Sequence, residues 1–323
     1  MTSKRALGNT DLQVPAITLG GNVFGWTVNE ADSFRLLDRA LELGLNFVDT
    51  ADVYSIWVSG NHGGDSETIL GRWFARSGKR NQVVLATKVG KDMGGGKKGL
   101  SAKYIQQAAE DSLRRLQTDH IDVYFSHADD PGTPLEETLR AYDQLIHSGK
   151  VRVIGASNYS GGRLREALEA SKQNHLPRYE VLQPHYNLVE RQQYESDLAP
   201  VAREYNLGVT PYFALASGFL SGKYRRESDA KGKARSGGVK KYLNEHGFAV
   251  LNQLDSVAQA HTTTPASVAL AWLIQQPTVT SAIASATKEE HLDDLVAALQ
   301  LKLDSASLQK LSAVSEAPVP SAQ

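Results

Sequence analysis

Eight short runs of β-branched and apolar residues recur along the chain, at 15–20, 46–50, 83–89, 121–127, 151–158, 180–183, 207–212 and 281–285. Most are apolar nearly throughout rather than alternating. That pattern predicts strands buried on both faces, as in a parallel sheet covered by helices. The segments between them carry helical spacing instead. It predicts helices over 30–43, 66–76, 103–116, 162–171, 194–205, 250–260, 266–274, 288–299 and 305–314. Gly44 supplies a stop for the first of these. Thr133-Pro134-Leu135-Glu136 reads as a capping box with proline at the first helical position, and Thr264-Pro265 opens its helix in a similar way.

Eight strands alternating with helices are the count for a closed (β/α)8 TIM barrel. The reading is one α/β barrel domain over 1–315, with a frayed, disordered tail at 316–323. A doubly wound dinucleotide domain is the competitor, but Gly20-Gly21-Asn22-Val23-Phe24-Gly25 lacks the G-x-G-x-x-G spacing. Gly94-Gly95-Gly96-Lys97 is no P-loop, since its spacing differs and no Ser or Thr follows the lysine. Residues 7–12 predict a small N-terminal β-hairpin that plugs the bottom of the barrel. Glycine-rich or polar stretches at 55–65, 90–99 and 223–241 predict long loops after strands two, three and seven. In a barrel those loops lie on the face that carries the active site.

Composition narrows the classes. The chain has 323 residues, 41% hydrophobic, which suits one large barrel or two ordinary domains. A net charge of −1 gives no global attraction to nucleic acid or membrane, so neither is expected as a partner. The absence of cysteine excludes disulfides, zinc-thiolate sites and thiol catalysis, and fits a cytoplasmic location. The first residues lack a signal-peptide apolar region, and no apolar run is long enough to span a bilayer. Oligomeric state is left open.

Polar residues gather where the predicted strands end. Asp49 closes the second, Lys88 the third, His127 the fourth, Ser157 and Asn158 the fifth, Gln183 the sixth and Tyr212 the seventh. One strand-end polar group is ordinary; six strands converging on one mouth point to a site.

The segments around them are 46–54 (Asn-Phe-Val-Asp-Thr-Ala-Asp-Val-Tyr), Thr87-Lys88-Val89, 121–127, Gly155-Ala156-Ser157-Asn158, Gln183-Pro184-His185-Tyr186-Asn187 and 215–224. In this order and placement the chain resembles the aldo-keto reductase family over essentially its whole length. The resemblance implies NAD(P)H-dependent reduction of small aldehydes or ketones, with Asp49, Tyr54, Lys88 and His127 as a catalytic tetrad. Hydride delivery to a carbonyl carbon builds charge on oxygen that must be stabilised and protonated. Tyr54 is the expected acid, Lys88 is expected to lower its pKa, Asp49 to hold Lys88, and His127 to orient the carbonyl.

The family also implies cofactor contacts. Ser157, Asn158 and Gln183 fall at the positions for the nicotinamide amide, and Tyr212 at the stacking aromatic. Leu215, Ser217, Gly218, Leu220, Gly222 and Lys223 fall along the pyrophosphate. The basic stretch 223–241, with Arg235, is expected to clamp the phosphates as a flap. At the last strand the sequence departs from the usual pattern: Ser285, His291 and Leu295 replace common residues. Ser285, Thr287 and Lys288 remain as a 2′-phosphate site, with His291 and Asp294 near the adenine, so NADPH is preferred, with NADH or dual use as the alternative. Phe24, Trp26 and Trp57 are expected to wall an apolar substrate pocket, and no metal is expected. Two rivals stand beside this reading. One is a cofactor-binding partner protein resembling potassium-channel β subunits. The other is a metal-dependent barrel hydrolase, disfavoured because no second histidine lies at ligand spacing to His127.

Overall fold

The computed structural model describes residues 3–232 and 236–316. Strands β1 (Lys4–Ala6) and β2 (Gln13–Pro15) form the antiparallel hairpin. Eight further strands form one parallel sheet. They are β3 (Ile17–Gly20), β4 (Phe47–Asp49), β5 (Val84–Val89), β6 (Ile121–Ser126), β7 (Val151–Ser157), β8 (Val181–Gln183), β9 (Gly208–Val209) and β10 (Ala282–Ala284). Their order is β10-β3-β4-β5-β6-β7-β8-β9. The sheet curls until its ends meet. Thr280 donates its backbone N–H to the Val209 carbonyl at 2.9 Å, and Ile283 donates to that of Pro211 at 2.9 Å. All eight predicted strands are present, and the fold is the (β/α)8 barrel.

Inward side chains alternate along each strand, and this alternation builds the site. A lower layer inside the barrel contains Phe47, Ala86, Val123, Phe125, Val153 and Val181, packed on Leu7, Leu12 and Val14 of the hairpin region. The hairpin therefore plugs the bottom, as predicted. Two residues further along four of these strands stand Asp49, Lys88, His127 and Gln183. Gly155 has no side chain because Phe125 needs its space; an added Cβ would lie 2.4 Å from the Phe125 ring. The larger core lies between the barrel wall and the outer helices, with Trp73, Tyr124, Tyr142 and Trp272 fully buried. Among the described residues no helix is long and apolar enough to cross a membrane.

Three local expectations change. The helix Leu135–His147 is capped by Pro134 with no side-chain cap bond. Thr133 instead donates its hydroxyl to Asp130 Oδ2 at 2.7 Å, so the capping box does not form. The segment 194–205 is a π-helical turn, Tyr194–Leu198, followed by the helix Ala199–Glu204. The segment 223–241 is not bare loop, for it contains short helices at Glu227–Ala230 and Ser236–Val239. By contrast, Thr264 caps the helix Pro265–Ile274 by accepting the Ser267 N–H, with proline at its first position. The expected disordered tail falls, from 317 onward, outside the described residues.

Candidate active site

Parallel pairing brings the C-terminal ends of the strands to one rim. Asp49 lies level with Ala86, and Lys88 with Phe125, while the His127 N–H bonds to the Val89 carbonyl at 2.8 Å. Tyr54 follows β4 on a short loop whose backbone is held to the rim by the Asp52 N–H, which donates to the Lys88 carbonyl at 3.3 Å. The fully buried Lys88 ammonium has three donors and three acceptors: Asp49 Oδ2 at 2.7 Å, the Thr50 carbonyl at 2.7 Å and the Tyr54 hydroxyl oxygen at 3.1 Å. The Tyr54 hydroxyl in turn makes a long 3.4 Å contact to Asp49 Oδ2. His127 stands across from it, ring centroids 6.0 Å apart, with its buried Nδ1 making no hydrogen bond.

The electrostatics differ from the sequence-based expectation at Tyr54. Burial, reinforced by the Asp49 carboxylate, pushes the phenol well above its ordinary pKa. The net shift is upward even with the Lys88 ammonium donating to the hydroxyl oxygen at 3.1 Å. Burial draws Lys88 down while Asp49 opposes that shift. His127 is held well below the usual imidazole range by burial and by Lys88 and Lys91, so it is neutral. Two residues before Tyr54, Asp52 is buried with no well-formed hydrogen bond to either carboxylate oxygen. Burial, then the nearby Glu67, raise its pKa to about 8.

A hydrogen-bonded chain extends from Asp49 around the rim. Gln183 Nε2 donates to Asp49 Oδ1 at 2.9 Å, and Ser157 Oγ to the Gln183 carbonyl at 2.9 Å. Asn158 Nδ2 donates to the His127 carbonyl at 2.7 Å and to Ser157 Oγ at 3.1 Å. The Tyr212 hydroxyl donates to Asn158 Oδ1 at 2.8 Å, and its ring stacks on His185 with centroids 5.2 Å apart. Asn158 holds its place in the left-handed region, φ 57°, which asparagine tolerates.

These groups line a cavity of about 810 Å³, large enough for a ligand-sized molecule. Asp49, Tyr54, His127, Ser157, Asn158, Gln183, Tyr212 and Trp57 line it from the early and middle strands. From the late strands come Leu215, Ser217, Gly218, Lys223, Ser285, Thr287, Lys288, His291 and Asp294. Lys88 lies behind Tyr54 and Asp49, outside the lining. Ser285 Oγ donates to Asn22 Oδ1 at 2.7 Å, and Asp294 Oδ1 accepts from Thr264 Oγ1 at 2.8 Å. The His291 ring Nδ1 lies 3.3 Å from the Thr287 N–H.

Several candidates fall elsewhere. Phe24 and Leu220 are core residues, almost without exposure, and do not wall the cavity. Gly222 spends its carbonyl on Arg225 Nε at 2.7 Å, and Arg225 turns to Asp255 at 2.7 Å, away from the cavity. Lys241 pairs with Glu190. The basic stretch is thus partly neutralised by its own neighbours rather than aimed inward as a whole. Arg235 lies outside the described residues. Trp26 packs edge-on against Trp57, centroids 5.6 Å apart, as a support behind the lining. Asn22, Thr27, Lys91 and Phe213 line the cavity without having been singled out. Their loops carry no periodicity, so only position after a strand end marked them.

A closed parallel barrel with its ionisable groups gathered at the C-terminal mouth defines a barrel enzyme of the α/β class. Residues 16–316 match the Aldo/keto reductase family. The chain is 35% identical over 319 residues to an uncharacterized oxidoreductase, YrpG, of Bacillus subtilis, covering 97% of this chain and 95% of that one. It is 32% identical over 335 residues to a putative voltage-gated potassium channel subunit beta of Schizosaccharomyces pombe, covering 96% and 92%. It is likewise 32% identical over 307 residues to an L-glyceraldehyde 3-phosphate reductase of Escherichia coli, covering 91% and 87%. The chain belongs to the aldo/keto reductase family, whose chemistry is the oxidoreduction of carbonyls.

Proposed function

We propose that this protein reduces aldehydes and ketones to alcohols with a nicotinamide cofactor, NADPH preferred, and that Tyr54 is the general acid. The observation that carries the reading is the three-way hold of Lys88 on Asp49, Thr50 and Tyr54 at the cavity wall. With the Tyr54 oxygen accepting from Lys88, the phenol's own hydrogen has only the long contact to Asp49 and is available to a substrate oxygen.

The cavity suits the cofactor by its donor set. Amide and hydroxyl groups of Ser157, Asn158 and Gln183 sit at the inner end, beside the Tyr212 ring. Consecutive left-handed residues Ser217 and Gly218, φ 59° and 93°, turn the backbone along the cavity where a pyrophosphate would lie, with the Gly218 N–H bracing the turn on the Leu215 carbonyl at 2.8 Å. Thr287 and Lys288 stand at the start of the helix Glu289–Gln300, a favourable place for a phosphate. A reduced nicotinamide bound there supplies the hydride.

The rest is done by the chain. A phenol with a raised pKa stays protonated at neutral pH, so Tyr54 is loaded as an acid. The oxygen of a carbonyl undergoing reduction becomes more basic than phenolate, and the proton therefore moves from Tyr54 Oη to it. The phenolate left behind is stabilised by the Lys88 N–H already aimed at it, and Asp49 keeps Lys88 charged. Neutral His127 retains one ring N–H to donate to the same substrate oxygen, fixing its orientation.

A second reading, a cofactor-binding partner protein, draws support from the relative named as a channel subunit. One experiment separates the two. NADPH and NADH consumption is followed across an aldehyde panel with wild type and Tyr54→Phe. The enzyme reading expects steady turnover by wild type, a loss of roughly 10²-fold or more in the variant, and retained cofactor binding by fluorescence. Near-normal turnover by Tyr54→Phe overturns the assigned acid; negligible turnover by wild type favours the partner protein.

A further inference from the structure

The early-strand half of the cavity has an unbalanced charge. Its ionised groups are Asp49, Lys88 and Lys91. Asp49 is saturated by Lys88 and Gln183, so the two cancel. Lys91 remains. It follows β5 closely: Val89 accepts the His127 N–H, Gly90 turns at φ 118°, and Lys91 joins the cavity lining to which Tyr54, Trp57 and His127 also belong. Among the described residues no carboxylate lies within ion-pair distance of its ammonium, whereas the more deeply placed Lys88 and Arg115 are both paired. Its charge is close enough to depress the pKa of both Lys88 and His127. Lys91 is exposed to solvent, but it lines the ligand-sized cavity rather than an open surface, so its charge also faces whatever the cavity holds.

We infer that Lys91 is a specificity-determining residue that selects carbonyl substrates bearing an anionic group, a carboxylate or a phosphate, on the part of the molecule leading out of the cavity. This rests on the reductase reading and refines it. The carbonyl oxygen lies between Tyr54 and His127, Trp57 covers the carbon skeleton, and the anion meets the Lys91 ammonium at the rim. An ammonium acts as a point charge and accepts either anion, so the residue alone sets the sign of the charge, while the surrounding space sets its identity.

The test compares kcat/KM for matched pairs: 4-carboxybenzaldehyde against benzaldehyde, and glyceraldehyde 3-phosphate against glyceraldehyde. It uses wild type, Lys91→Met and Lys91→Arg. The anionic-to-neutral ratio is expected to fall about tenfold in Lys91→Met, mainly through KM, which is the lower end for a hydrogen bond to a charged group. Lys91→Arg is expected to keep most of the ratio. The pair that loses more identifies carboxylate or phosphate as the favoured anion. An unchanged ratio in both pairs overturns the inference, as does an equal fall in Lys91→Arg. Turnover of the neutral aldehydes by wild type reports on the reductase reading separately. A binding arm needs no turnover: quenching of tryptophan fluorescence by benzoate is expected to weaken about tenfold in Lys91→Met while quenching by benzamide does not. Equal weakening of both ligands, or of neither, also overturns it.

Discussion

Asp52 gives the sharpest quantitative prediction. Its carboxyl is buried beside Glu67 and has a pKa of about 8, against 3.8 for an ordinary aspartate. In the folded state it therefore holds a proton that the unfolded chain has already released. Its contribution to stability is full below pH 4, declines as pH rises through the interval from 4 to 8, and is flat above it. The slope approaches about 1.4 kcal/mol per pH unit. Between pH 5 and pH 8 this amounts to about 4 kcal/mol. Asp52→Asn keeps the shape and removes the titration. Relative to wild type, the variant is expected to gain roughly 4 kcal/mol between pH 5 and pH 8. At about 2 °C per kcal/mol for a chain of this size, that is a Tm difference of about 8 °C. Thermal melts of both proteins at half-unit pH steps measure it. Using the difference between the two proteins cancels every other titrating group. A difference that stays flat across the interval refutes the reasoning, because Asp52 is then either ionised and hydrated or protonated throughout.

Three further outcomes are expected. Tyr54→Phe abolishes carbonyl reduction while cofactor fluorescence titrations remain close to wild type. Lys288→Ala raises the KM for NADPH by about tenfold with little change for NADH, as expected for loss of one charged phosphate contact; equal effects on both remove Lys288 from the 2′-phosphate site. Gly71→Ala places a Cβ 2.0 Å from the Arg115 carbonyl oxygen, where the helices Asp65–Ser77 and Ala102–Leu116 touch backbone to backbone. It is expected to cost about 1–3 kcal/mol, read as a lowered urea midpoint, and a midpoint equal to wild type contradicts the close contact.

The barrel was legible in the sequence because its strands are buried on both faces and so are apolar throughout. The helices were legible from their spacing, and Gly44 and Thr264-Pro265 from local turn chemistry. Thr133 misled because a hydroxyl bonds to whichever acceptor is nearer in space. The Asp130 carboxylate lies within reach, and no sequence pattern encodes that preference. Asp49, Lys88 and His127 were legible as strand-end exceptions to the apolar pattern, Tyr54 only through the family resemblance, and the structure brings the four together. The direction of the Tyr54 shift was not legible, because it depends on how completely the ring is buried and on how close the Asp49 carboxylate lies. Phe24 illustrates the reverse difficulty. An aromatic after a strand end reads as a pocket wall, yet a turn of chain carries it into the core. Lys91 was passed over because a lysine in a glycine-rich loop reads as merely solvated; it is exposed, and only the turn at Gly90 puts it in the cavity lining.

The hairpin sealing the lower end of the barrel makes the site one-sided. With Leu7, Leu12 and Val14 wedged under Phe47 and Phe125, there is no passage through the chamber. A molecule resting against Gln183 and Asn158 comes and goes past the strand-end loops, so those loops alone govern access, and the buried plug is left to serve stability.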